Sequence, residues 1–159
     1  MPSLVVVEPG QKEALSLLGN TLHLAVTSAE TGGAFSVVDF AVGPAFVAPP
    51  YFHANMREDW WGQVLEGVIA VEERGGATRR IAAGGWVFVP RGTEFRWWNP
   101  DQLPARWLLT YSPGGFEQYF VEAARVVAEK KPKTPQEIGA LALPLWEKYG
   151  VVPHREAGR

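Results

Sequence analysis

Gly84-Gly85-Trp86-Val87-Phe88-Val89-Pro90-Arg91-Gly92-Thr93-Glu94-Phe95-Arg96-Trp97-Trp98-Asn99 is the stretch that decides the fold. It holds two apolar runs, 85–89 and 93–98, too short for helices and rich in the aromatic and β-branched residues that suit a pleated surface. Pro90 and Gly92 stand between them as turn residues. The reading is strand, tight turn, strand. Outward from it, the same pattern of short apolar runs cut by Gly and Pro predicts strands over 4–7, 21–28, 34–42, 63–72, 78–82 and 106–111. Glu73-Arg74-Gly75-Gly76 reads as a hairpin turn. Pro49-Pro50 fixes an extended lead into the strand that follows. Many short strands at this spacing mean a β-sandwich or a β-barrel.

After residue 115 the period changes. Phe116, Tyr119, Phe120, Ala123 and Val127 share one helical face. Lys130-Lys131-Pro132-Lys133 ends that helix. Thr134-Pro135-Gln136-Glu137 then forms a capping box with proline in the first turn. Ile138, Leu141, Leu145 and Tyr149 make the second apolar stripe, and Gly150 is the stop. The organisation is a β unit over 1–115, two helices over 116–150 packed on its outside, and a tail over 151–159, all in one structural domain.

Composition narrows the function classes. The 159 residues are 47% apolar and 20% charged, an ordinary globular mixture. The net charge of −2 provides no basic footprint for nucleic acid. No apolar run is long enough to span a bilayer as a helix. The N-terminus, Met1-Pro2-Ser3-Leu4, lacks the basic region of a signal peptide, which predicts a cytoplasmic location. Cysteine is absent, so disulfides and thiol chemistry are excluded. The three histidines are His23, His53 and His154. His23 lies opposite the leucines of its strand and His154 lies in a tail read as frayed, so a three-histidine metal site would need two distant residues to converge on His53.

The stretch 84–99, taken with an earlier one over 47–67, resembles the paired signature motifs of the cupin superfamily. In the second motif Gly84, Pro90, Gly92 and Asn99 match, and the histidine position is Phe95. In the first, Gly67 is the terminal glycine and the first histidine is His53. The second histidine position is Asn55, the glutamate position is Trp60, and the opening glycine is Val47. The Ser112-Pro113-Gly114-Gly115-Phe116-Glu117 junction is similar to one in single-domain, quercetin-dioxygenase-like cupins. The resemblance implies a mainly β, jelly-roll barrel with two C-terminal helices. It also implies a metal-free site, because three of the four usual ligands are replaced.

Side chains alternate across a strand. With Trp60 and Phe95 inward, Gly62 and Trp97 also face in, and His53 shares parity with Asn55. The expected pocket is therefore His53, Asn55, Trp60, Gly62, Phe95 and Trp97, with Gly62 making room for Trp60. His53 is the candidate catalytic residue, being the group there that titrates near neutrality. Glu58 and Asp59 are read as a solvated loop tip. A register slip would instead bring a carboxylate beside His53, either as an acid–base pair or as a metal set of His53, Asn55 and Glu58 for one divalent transition metal.

Three functions remain open. The first is binding of a small, partly aromatic organic molecule. The second is an enzyme, either a quercetinase-like dioxygenase with a residual metal or a metal-free isomerase or cyclase using His53. The third is an interaction domain with a filled barrel. A homodimer is expected, with the 4–7 strand covering a sheet edge.

Overall fold

The computed structural model describes residues 3–47 and 51–154. The chain forms, in order, β1 (Ala14–Leu17), β2 (Asn20–Val26), β3 (Ser36–Val42), β4 (His53–Asn55), β5 (Asp59–Glu66), β6 (Val68–Glu73), β7 (Thr78–Ala82), β8 (Trp86–Val89), β9 (Phe95–Trp98), β10 (Ala105–Ser112), α1 (Glu117–Lys130), α2 (Pro135–Lys148) and β11 (Val151–Pro153). Two antiparallel sheets face each other in a jelly-roll. One runs β1-β2-β3-β10-β5-β8 and the other β11-β4-β9-β6-β7. They stay two sheets rather than one closed barrel, so each has free edges.

Several expectations need correction. The predicted strand over 4–7 is irregular chain, with Leu4 93% exposed; β-favouring residues do not make a strand without a partner edge. The predicted strand over 63–72 is two strands, β5 and β6, in opposite sheets. Gly67 breaks it with φ of 70°, and a Cβ there would stand 2.7 Å from the Pro104 carbonyl oxygen. The pair β1–β2 closes through Leu18 and Gly19, both at positive φ. The Glu73–Gly76 turn forms as read, with the Gly76 N–H donating to the Glu73 carbonyl at 2.9 Å. The Pro49-Pro50 reading lies outside the described residues.

Both helices form where the sequence places them, but not on the outside of the sheets. Thr134 caps α2 with the reciprocal capping box, Lys131 ends α1 in left-handed geometry, and Gly150 follows the last turn of α2. The helix α1 packs on β1 and β3, and α2 packs on α1 and β11. β1 and β11 are edge strands of the two different sheets, so the helices close the open side between them. The tail reading is corrected for residues 151–153, which pair antiparallel with β4 as β11. His154 is held too: its N–H donates to the Phe52 carbonyl at 2.7 Å and its Nδ1 lies 3.1 Å from Glu94 Oε1.

The space between the sheets is filled mainly by rings. Trp107 is fully buried, and its ring lies over Gly62, where a Cβ would approach it to 2.7 Å. Gly62 thus makes room for Trp107, not for Trp60. No described helix is long and apolar enough to cross a membrane.

Candidate functional site

β5 alternates as its sequence demands. Trp60, Gly62 and Val64 are buried while Trp61 and Gln63 lie half out. On β9 Phe95 is buried, and His53 of β4 stands directly across from it, ring centroids 4.5 Å apart. Trp60 approaches the other side of Phe95 at 5.1 Å. His53, Asn55, Trp60, Phe95 and Trp97 therefore line one cavity of about 110 Å³. Gly62 does not line it, because Trp107 covers that position.

The helices build the opposite wall, which the sequence reading lacked. Trp146 of α2 lies over His53 with centroids 4.8 Å apart. Its Nε1 donates to the Tyr119 hydroxyl of α1 at 3.0 Å, tying the two helices over the cavity. Tyr111 of β10 and Phe116 complete this end, 4.8 Å apart. Trp146 falls outside the stripe read for α2 (Ile138, Leu141, Leu145, Tyr149); the available signal was a large aromatic next to Leu145, and its target was not readable.

His53 is 8% exposed, and its Nδ1 lies 3.0 Å from the Tyr51 carbonyl. A carbonyl only accepts, so Nδ1 carries the proton and Nε2 is left as an acceptor. Burial pushes the pKa below the ordinary histidine value, partly offset by that carbonyl. The ring is neutral at pH 7. Burial likewise pushes the Tyr111 and Tyr119 phenols up, so both stay protonated.

The expected solvated loop tip divides into two unlike residues. Asp59 is at the surface and receives the Arg91 guanidinium at 3.0 and 3.2 Å, which lowers its pKa. Glu58 is 5% exposed, contrary to expectation, and its Oε2 has no hydrogen-bond partner. Burial raises its pKa, against smaller pulls from Asn55, Arg57 and Arg91. Glu58 does not line the cavity. Asn55 is 4% exposed with Nδ2 unpaired, and Trp60 Nε1 is also unpaired. Buried polar groups are ordinarily satisfied, so the two orphans on the cavity wall, Asn55 Nδ2 and Trp60 Nε1, mark a place for a ligand's polar atoms or for water. Among the described residues, no group of three His, Cys, Asp or Glu side chains is placed to hold a metal ion.

Residues 37–111 match the cupin domain. No curated protein matches the chain. Solved structures similar to it include KdgF from Halomonas sp., 16% identical with a TM-score of 0.58, covering 70% of this chain and 96% of that one. The polyketide cyclase RemF from Streptomyces resistomycificus is 21% identical with a TM-score of 0.57, covering 69% and 80%. A Streptomyces PAC13 variant with uridine is 16% identical with a TM-score of 0.57, covering 74% and 88%; another structure of that protein describes it as a nucleoside dehydratase. At these identities the likeness is one of fold. The domain match over residues 37–111 and the fold shared with these structures agree with the cupin resemblance of the two motifs.

Proposed function

We propose that this chain binds a small, largely apolar and partly aromatic organic molecule, without a metal, in the cavity between its sheets and its helices. The observation that carries the reading is the cavity itself, walled by aromatic rings and bordered by unpaired Asn55 Nδ2 and Trp60 Nε1. Apolar walls with a few convergent polar groups are the usual form of a small-molecule site. Aromatic faces favour flat guests through stacked and edge-on contacts.

The donor set fits a cupin metal poorly. His53 is the one imidazole, and the rings of Trp60 and Phe95 stand at two ligand positions. Neutral amide and indole groups are weak partners for a borderline transition metal. Elemental analysis of untagged protein is expected to show well under one equivalent of iron, nickel, manganese or zinc. A full equivalent that disappears in His53→Ala would refute the metal-free reading.

An aromatic-fragment screen by ligand-observed NMR tests binding. Ala142→Phe projects a ring into the cavity from α2 and should abolish the hits. Hits that persist unchanged would place the site elsewhere. A second reading is a metal-free isomerase or cyclase in which His53 Nε2, neutral and unpaired, takes a proton from the bound molecule. It is favoured by the fixed tautomer of His53. The cyclase and dehydratase among the structural neighbours are compatible with either reading.

The homodimer is also proposed. β8 is a free edge that shows Trp86 and Phe88 to solvent at 61% and 62% exposure, and the apolar 4–7 segment pairs with no strand among the described residues. Light scattering at micromolar concentration should give twice the chain mass of 17.5 kDa; a persistent monomer refutes it.

A further inference from the structure

The cavity does not end at the motif residues. Its wall runs from Phe116, the cap of α1, to Val127, eleven residue steps or about 16 Å of helix at 1.5 Å per residue. Strand register gives the same direction. Trp60 pairs with Tyr111, and Tyr111 with Ser36, at one end of β3. Asn20 lies beyond the Thr21–Ala41 pair, level with the other end of β3. Six residues of strand separate the two levels, about 20 Å of backbone. A volume of about 110 Å³ drawn out over this length is a narrow channel, not a round chamber.

The far end has its own polar atom. Asn20 is 1% exposed and lines the channel beside Leu17 and Leu18. Its Oδ1 accepts from the Gly43 N–H at 2.8 Å, which fixes the amide orientation. Its Nδ2 has no partner. Between Asn20 and the His53 end the walls are aliphatic and aromatic. A buried donor without a partner is costly, so one at each end of an apolar channel is a pattern that a two-ended ligand would relieve.

We infer that the ligand is a rod-shaped, mainly apolar molecule about 15 Å long, with a hydroxyl at each end. One hydroxyl oxygen accepts from Asn55 Nδ2 or Trp60 Nε1 while its hydrogen is donated to His53 Nε2, and the other oxygen accepts from Asn20 Nδ2. This rests on the binding reading above and extends it to a second subsite and a ligand shape. A single flat ring would occupy the His53 end alone.

Calorimetry or ligand-observed NMR with three probes separates the two claims: phenol for the His53 end, decanol for length with one oxygen, and the terminal decanediol for length with two. The expected order is decanediol tighter than decanol by about fivefold, the effect of one net-favourable hydrogen bond, and both tighter than phenol. Asn20→Asp keeps the oxygen that holds Gly43 but removes the donor, and should erase the decanediol advantage. Val127→Phe narrows the far half and should abolish both long probes while sparing phenol. Phenol binding without a decanediol gain, or long-probe binding indifferent to Val127→Phe, overturns the extended site and leaves the near pocket standing. No binding of any probe overturns both. A tryptophan fluorescence melt of each variant confirms that it is folded.

Discussion

The two walls of the cavity are built on different principles. The sheet wall is held from several sides. His53 pairs with Phe95, Trp60 lies between Val89 and Tyr111, and Asn55 accepts from the Gly92 N–H at 2.8 Å through its backbone. The helix wall is held at few points. In α2 only Gly139 and Trp146 are fully buried, and Leu143 is 40% exposed. Its other attachments are the Tyr149 hydroxyl and the Lys148 ammonium on Glu122, Arg57 Nη1 on the Lys148 carbonyl, and the short pairing of β11 with β4. The sheet frame is pinned on several sides, while α2 is fastened by one buried tryptophan and a few polar and edge contacts. The comparison says that access to the cavity is decided by α2.

The largest effect should come from the rigid wall. In Gly62→Phe even the first side-chain atom would meet the Trp107 ring, whose neighbours cannot retreat. Loss of more than about 3 kcal/mol in chemical denaturation, or failure to fold, is expected. Native stability in that variant would restore the reading in which Gly62 opens space for Trp60. Next comes Trp146→Ala, which deletes the ring over His53 and the bond to Tyr119. Truncating a buried tryptophan costs about 3–5 kcal/mol. That loss should fall on α2: hydrogen exchange should rise across 135–153 while β5 and β10 stay protected. Uniform loss of protection would show that the two walls unfold as one.

Much of the sheet wall was legible because period two assigns faces without knowing neighbours. Trp60, Phe95, His53 and Asn55 are inward for that reason. The same rule could not say which ring fills the gap at Gly62, since Trp107 comes from a strand more than forty residues away. The 63–72 run hid a change of sheet at Gly67, because Leu65, Val68 and Val71 continue the apolar pattern across the bend. In 4–7 strand propensity was real but no edge was there to pair with. For the helix wall, the stripes and caps of α1 and α2 were readable and their docking side was not. A helix's apolar face states that it is buried, not against what. Asn20 was missed and Glu58 was read as solvated, because an unpaired buried polar atom has no signature in sequence.

A smaller effect concerns the polar group shared by both walls. His53 belongs to β4 and lies under Trp146, so His53→Ala tests the junction. Fragment affinity should fall by about 1 kcal/mol, the net worth of one hydrogen bond to Nε2. Because burial holds the histidine pKa down, the wild-type affinity should be level from pH 8 down through the ordinary histidine range near 6.5, weakening only below it. A break at or above 6.5, absent from His53→Ala, would mean that the ring is charged in the free protein.

The smallest effect lies at the edge of the rigid wall, at Glu58. Its Oε2 is buried without a partner, and burial raises its pKa above the ordinary value of 4.5. A carboxyl with a raised folded-state pKa binds more protons when folded than when unfolded, between the two values. Its contribution therefore favours the folded state below the ordinary carboxyl pKa and is lost as pH rises through the folded-state value. Glu58→Gln removes the ionising group and leaves the shape. At pH 7 the variant should be more stable than wild type by up to about 1 kcal/mol, since no ion pair is given up. The gain should shrink as pH falls toward 4.5 and vanish below it. Paired urea denaturations across that window measure the difference directly. A variant less stable than wild type at pH 7 would mean that the carboxylate has a partner in solution, and that this wall is better satisfied than its unpaired oxygen indicates.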